Sequence, residues 1–200
     1  MPRIDLSISS NRDYTPGKPV WVRLLWIGVE WLTLLNPIFL PSGLKARILR
    51  AFGARIGRNV YIKPNVHVKH PWRLTVGDNA WIGERAWIDN LVPVTIGANA
   101  CISQGAYLCT GNHDWGDPGM GMTPQPIVIE DGAWIGAFAK IGPGVTVGEE
   151  AIVTLGSVLL KDADPRGIYQ GNPAVRVRTR TIRDQPGPAT GVDRTPRPRR

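Results

Sequence analysis

The segment 108-LCTGNHDWGDPGMGMTP-124 places His113 between Asn112 and Asp114. An imidazole titrates near pH 6.5, so it can take a proton from an attacking hydroxyl that is otherwise a poor nucleophile. A neighbouring acid could orient such a ring, although adjacent side chains on an extended chain point opposite ways. Asp114 therefore supports the ring, caps the loop or meets a ligand. A loop histidine can also be merely solvated. Asp89 and Asn90, in 88-IDNL-91, form a second polar pair, readable as a ligand contact or as an Asp/Asn corner turn. Cys109 suggests a covalent route, but nothing beside it would lower a thiol pKa, which argues against one. Lys161, Arg176 and Arg178 are candidate phosphate ligands or surface cations.

These side chains hang on a ladder. An aliphatic residue recurs every six positions at Ile56, Ile62, Val68, then Val76, Ile82, Ile88, then Ile96, Ile102 and Leu108. It resumes at Ile129, Ile135, Ile141, Val147, Val153 and Leu159. Glycine often follows directly, as at Gly57, Gly77 and Gly136, and a small or branched residue comes four places on, as at Ala80, Ala133 and Ser157. Neither a helical period nor two-fold alternation gives this spacing. It describes a parallel β-coil in which each hexad makes a strand and a corner and three hexads close a triangular turn. The aliphatic and the small residue face inward, and Gly and Asn accept the corner geometry. Two-residue insertions at Leu74-Thr75 and Val94-Thr95 add bulges without loss of register. The expected fold is all-β, a parallel β-helix whose hand the spacing leaves open. The break between Leu108 and Ile129 is too long for a corner and reads as an extruded loop, 109–128, able to carry His113 into a groove.

The organisation that follows is an N-terminal extension (1–17), a helical cap (18–54), the β-helix with its loop (55–164), a C-terminal turn and strand (165–182) and a disordered basic tail (183–200). The formal charge of +8 is concentrated at the C-terminal end: from Arg176 onward eight arginines face Asp184 and Asp193. A Pro/Arg/Gly-rich run buries too little apolar surface to order itself, and with a near-neutral body no nucleic-acid partner is expected. Cys101 and Cys109 form no CxxC pair, consistent with reduced thiols and a cytoplasmic setting. The N-terminus has no signal-peptide layout. The apolar run 20-VWVRLLWIGVEWLTLLNPIFLP-41 contains Arg23, Glu30 and two prolines, too interrupted for a confident span. It reads as a cap over the first coil or as an interfacial helix peripheral to the inner face of a membrane, since Trp flanked by Arg suits headgroups.

The stretch 129-IEDGAWIGAFAKIGPGVTVGEEAIVTLGSVLLKDADPRGIYQGNPAVRVR-178 resembles the hexapeptide-repeat sugar O-acetyltransferases. The PW, WIG, IDNL, SQGAYLCTG and NHD landmarks between residues 51 and 115 resemble the colanic-acid-biosynthesis acetyltransferase branch of that superfamily. The resemblance spans about residues 14–180 and implies a left-handed hand for the helix. It also implies a homotrimer with active sites between subunits, acetyl-CoA as co-substrate, no metal, and a saccharide hydroxyl as acceptor, in an exopolysaccharide precursor. It makes His113 the general base and puts acceptor-binding groups at Asp89, Asn90, Asn112 and Asp114. It assigns the oxyanion to the amide of Ala137, the acetyl or pantetheine channel to Trp134, and close cofactor approach to Gly136. Gly156 and Ser157 fall in the pantetheine segment, and Lys161, Arg176 and Arg178 would meet CoA phosphate. Thr154 and Leu160 stand where the pattern has Gly and Thr, which leaves the donor's contacts open. Carbonic anhydrases on this fold need three histidines around zinc, and His67 and His70 lie far from His113 in sequence. A non-catalytic scaffold, or a non-sugar or amino acceptor, remains an alternative.

Overall fold

The computed structural model describes residues 3–8, 14–36 and 40–183; the tail from 184 onward, read above as disordered, lies outside them. The ladder folds as its period dictates. The first coil comprises β1 (Arg55–Ile56), β2 (Tyr61–Ile62) and β3 (His67–Val68), and the second β4 (Leu74–Val76), β5 (Trp81–Ile82) and β6 (Trp87–Asp89). The third holds β7 (Val94–Ile96), β8 (Cys101–Ile102) and β9 (Tyr107–Cys109). Beyond the loop come β10 (Ile127–Ile129), β11 (Trp134–Ile135) and β12 (Lys140–Ile141), then β13 (Thr146–Val147), β14 (Ile152–Val153) and β15 (Val158–Leu159). Each third strand stacks in parallel on the one a coil earlier. The result is three faces: sheet A (β1-β4-β7-β10-β13), sheet B and sheet C (β15-β12-β9-β6-β3). Sheet B runs from β2 through β5, β8, β11 and β14 to a terminal hairpin of β16 (Gly167–Gly171) and β17 (Ala174–Thr179). The aliphatic residues fill the prism and are buried from Ile62 to Leu159, with the alanines four places on packed in the corners.

Two residue types at the corners answer to two different constraints. Asn59, Asn65, Asn79 and Asn99, three places after the aliphatic, all take φ between 55° and 58°. There the short polar side chain makes the left-handed region accessible. The glycine directly after the aliphatic is needed for a different reason. A Cβ on Gly57 would lie 2.6 Å from the Asp78 backbone N, and one on Gly136 would lie 2.7 Å from that of Leu155. Coils approach too closely at these points for any side chain. Gly136 therefore serves coil stacking.

The cap is two helices, α1 (Val20–Thr33) and α2 (Ser42–Ala51), and it closes the open first coil strand by strand. An exposed strand edge carries unpaired N–H and C=O groups. On β3 the Val68 N–H donates to Glu30 Oε1 at 2.6 Å, and the Val68 carbonyl accepts from Trp26 Nε1 at 2.8 Å. On β2, Ile62 N–H donates to Ser42 Oγ at 3.0 Å, and Lys45 Nζ donates to the Lys63 carbonyl at 2.9 Å. On β1, Arg50 donates to the carbonyls of Ile56 and Gly57. Of the three evenly spaced tryptophans, only Trp26 is buried. Trp21 and Trp31 point outward with Val20, Leu24, Leu25, Ile27 and Leu32, all 52–68% exposed. Among the described residues no helix is long and apolar enough to cross a membrane.

Candidate active site

Every insertion falls at the edge where sheet C turns into sheet A: after β3, after β6, and after β9, where the loop leaves. Coils there stack with a period of 20 residues, so 69, 89 and 109 form one column and 70, 90 and 110 another. The inner column is a buried polar seam. Asn90 accepts from His70 N–H through Oδ1 at 2.8 Å and donates to the His70 carbonyl through Nδ2 at 2.7 Å. Thr110 Oγ1 donates to the Asp89 carbonyl at 2.8 Å. Burial, against a carbonyl contact from Asn90 and with help from the charges of Arg73, Lys69 and Arg23, holds the His70 pKa down at about 4. Asn90 is thus fully buried with its amide occupied, which corrects its assignment as an acceptor contact; it positions the edge instead.

The outer column opens onto a cavity of about 530 Å³. Its walls include Lys69, Asp89, Cys109, Asn112 and His113, together with Tyr14 and Arg23 from the N-terminal region. Asp89 Oδ1 lies 2.8 Å from Lys69 Nζ, and Oδ2 accepts from the Tyr107 hydroxyl at 3.0 Å. Burial first, then the Cys109 and Asp89 neighbours, push the Tyr107 hydroxyl pKa up, so it stays a donor. Cys109 donates weakly to the Gly111 carbonyl.

The loop is a small antiparallel ladder. His113 bridges Met122, Asp114 N–H donates to the Gly121 carbonyl, and Thr123 N–H donates to the Asn112 carbonyl. Asp117 accepts from Gly119 and Gly121 N–H, contacts that hold its carboxyl below the usual range and tie down the turn. That turn delivers the Met120 carbonyl to His113 Nδ1 at 2.7 Å. A carbonyl only accepts, so Nδ1 carries the proton and Nε2 is the basic nitrogen. The carboxylate beside the ring has no part in this. Asp114 Oδ1 accepts from Gly116 N–H at 2.8 Å and caps the loop. Asn112 lines the cavity, and its Oδ1 accepts from His113 N–H at 2.9 Å.

A second cavity, about 350 Å³, sits on the edge between sheets B and C and is lined by Ser103, Gln104, Trp134, Gly136, Ala137 and Leu155, among others. Trp134 spans it with Nε1 donating to Ser103 Oγ at 2.8 Å. The Ala137 carbonyl accepts from Gly156 N–H at 2.8 Å. Its own N–H has no acceptor among the described residues. The corresponding amides on the edge between sheets A and B, in Arg58, Ala98 and Glu149, are capped by carboxylates of the neighbouring coil. An uncapped amide in a cavity wall is a donor available to a ligand oxygen. The two cavities share no residue: the His113 loop and Ala137 lie on opposite edges of sheet C.

The remaining cofactor candidates scatter. Ser157 is buried, paired with the Thr154 hydroxyl at 2.9 Å and accepting from Gly171 N–H at 3.0 Å, so its side chain anchors the terminal hairpin and is not available to cofactor. Gly156 takes φ 68° with open space where a Cβ would stand. Pairing register puts Arg178 in the outward row Trp134–Ile152–Ile168, below the second cavity. Arg176 is exposed and 3.8 Å from Asp164. Lys161 is exposed on the other edge, past β15.

A prism of stacked hexads thus carries an imidazole loop on one edge and an uncapped amide beside tryptophan on another. Two family models match, bacterial transferase hexapeptide (six repeats) over residues 126–161 and hexapeptide repeat of succinyl-transferase over 73–109. WcaF of Escherichia coli (strain K12), named as a colanic acid biosynthesis acetyltransferase, is 38% identical over 88% of this chain and 97% of its own length. The galactoside O-acetyltransferase of the same organism is 30% identical over 72% of this chain and 74% of its own. The acetyltransferase VCA0836 of Vibrio cholerae, solved with acetyl coenzyme A, superposes with a TM-score of 0.72 at 25% identity, covering 80% of this chain and 87% of that one. The chain belongs to the hexapeptide-repeat acetyltransferases, whose fold is a left-handed parallel β-helix.

Proposed function

We propose that the protein is an acetyl-CoA-dependent O-acetyltransferase that acetylates a saccharide hydroxyl in an exopolysaccharide precursor. The observation that carries this reading is the His113 ring, whose Nδ1 is engaged by the Met120 carbonyl while the ring lines a polar cavity of sugar-binding size. Asp89 and Asn112 supply acceptors and donors for sugar hydroxyls there. The family relatives named for colanic acid and galactoside acetylation support the acceptor class.

The acetyl donor fits the second cavity. Trp134 offers an apolar wall, the uncapped Ala137 amide a donor, and Arg178 with Arg176 a cationic end to the same face for phosphate. In the reaction, His113 Nε2 takes the hydroxyl proton as the sugar oxygen attacks the thioester carbonyl carbon. The Ala137 N–H holds the developing oxyanion, the C–S bond breaks, and the imidazolium returns its proton to the thiolate. The products are the acetylated sugar and free CoA. Because the two groups stand on opposite edges of sheet C, they meet only across subunits. A homotrimer with three such interfaces, which the family resemblance implies, would bring them together, with Lys161 approaching the donor from the His113 side. CoA supply places it in the cytoplasm.

The outer face of α1 supports a peripheral contact with a bilayer. Every exposed residue of that helix is apolar or Gly28, while Arg23 and Glu30 turn inward. Its 14 residues span about 21 Å, short of the roughly 30 Å hydrocarbon core, so it lies along the surface with Trp21 and Trp31 near its ends. It covers the first-coil end of the prism, with its apolar face outward and Arg23 on its inner side reaching the His113 cavity.

Acetyl-CoA consumption with a saccharide panel tests the activity. His113→Ala, folded by circular dichroism, should lose about a hundredfold or more in acceptor-dependent thiol release. A loss within about threefold would refute the base assignment, and no acceptor stimulation at all would favour a scaffold.

A further inference from the structure

Arg23 is the cation the proposed mechanism leaves unused. It projects from α1 into the wall of the His113 cavity. Its Nε is buried with no hydrogen-bond partner, and its guanidinium makes no ion pair among the described residues. The cavity's other charges cancel: Lys69 is matched by Asp89 at 2.8 Å, and His70 is held neutral. Among the described residues nothing therefore balances Arg23. Arg73, close behind Tyr14, adds to the excess, since it stacks on the Tyr14 ring at 5.5 Å and donates to the Thr15 carbonyl while its Nη1 is likewise buried and unpartnered.

A buried donor without an acceptor is destabilising, and a buried uncompensated charge more so. A guanidinium presents a planar fork that matches carboxylate or phosphate oxygens. A neutral sugar offers only hydroxyls, which Asp89 and Asn112 already suit. We infer that the acceptor is an anionic saccharide, carrying a carboxylate or phosphate that Arg23 binds while His113 addresses a hydroxyl of the same molecule. This rests on the acetyltransferase reading and specifies its substrate class. Arg23 is then a specificity residue acting on binding, and proton transfer stays with His113. The shared chemistry is an oxyanion, and a uronic acid or a glycosyl phosphate, free or lipid-linked, could supply it. The position of Arg23 on the same helix that turns its apolar face outward is compatible with the lipid-linked source.

The test compares acceptors that differ in one group: methyl glucoside, methyl glucuronide and glucose 1-phosphate, each assayed by thiol release and by mass of the acetylated product. The wild-type protein should favour at least one anionic acceptor over the neutral one by about tenfold or more in kcat/KM, about 1.4 kcal/mol. The preference should lie mainly in KM and shrink as salt rises. Which anion is favoured distinguishes carboxylate from phosphate. Arg23→Gln should collapse the ratio towards one, Arg23→Lys should retain part of it, and Arg58→Gln, on a distant exposed corner, should retain all of it. Calorimetric titration with glucuronate and with inorganic phosphate supplies a readout independent of turnover, with binding lost in Arg23→Gln. Equal rates on neutral and anionic acceptors, or a ratio unchanged in Arg23→Gln, overturn the inference and leave the transferase reading intact. Acetylation of no acceptor by the wild type overturns both.

Discussion

The imidazole at residue 113, the proposed base, is aimed by a carbonyl. The neighbouring carboxylate is spent on the loop, so the NHD triplet misleads if read as a linear catalytic dyad. At the second cavity the proposed oxyanion donor belongs to the backbone, which makes it hard to remove by ordinary substitution. Proline can remove it. Pro64 and Pro143 already occupy the position two places after the aliphatic in other hexads, so Ala137→Pro deletes the N–H at a corner the repeat can build with proline. A folded Ala137→Pro protein should lose about 10²–10³ in kcat with little change in acceptor KM, measured by steady-state kinetics. His70 predicts a pH effect. Its folded pKa of about 4 lies below the ordinary 6.5, so the unfolded chain binds the proton more tightly. The corresponding stability is complete above about pH 6.5 and is lost as pH falls towards 4. Thermal denaturation across that window should show the decline, and His70→Gln should flatten it.

At the level of elements, α1 satisfies a strand edge from one side and is bare on the other. Trp26 and Glu30 stand in for a missing strand against Val68, and this explains why a charged residue interrupts an otherwise apolar run. The outward face predicts binding to vesicles of phosphatidylethanolamine and phosphatidylglycerol in a flotation assay. The double variant Trp21→Ser, Trp31→Ser should reduce the bound fraction about tenfold or more without lowering the melting temperature, since both side chains are exposed. Failure to float, together with an assembly larger than a trimer that the double variant breaks down, would assign the face to a second copy instead.

For the whole molecule, separation of the His113 and Ala137 edges has a genetic consequence. In the proposed homotrimer, mixed assemblies of His113→Ala and Ala137→Pro chains would contain interfaces where one subunit brings the intact histidine and its neighbour the intact amide. Random assembly makes such interfaces about a quarter of the total. Co-refolding the two inactive variants should therefore restore about a quarter of wild-type activity. No recovery, with mixed trimers verified by mass, would place both groups in one subunit's site.

The hexad period determined the prism, its inward-facing residues and the location of the loop, because a repeat of strand and corner is a local property of the backbone. The same ladder held more than was taken from it. Ser157 occupies an inward small-residue position, and the 20-residue coil makes Lys69, Asp89 and Cys109 one column and His70, Asn90 and Thr110 another. That arithmetic separates the cavity-facing Asp89 from the buried Asn90. Tertiary structure alone decided that Tyr14 and Arg23 line the His113 cavity, that Met120 fixes the imidazole tautomer, and that Trp21 and Trp31 face outward while Trp26 is buried. Those contacts join segments with no common period, and their geometry depends on how the cap and the loop dock against coils distant in sequence.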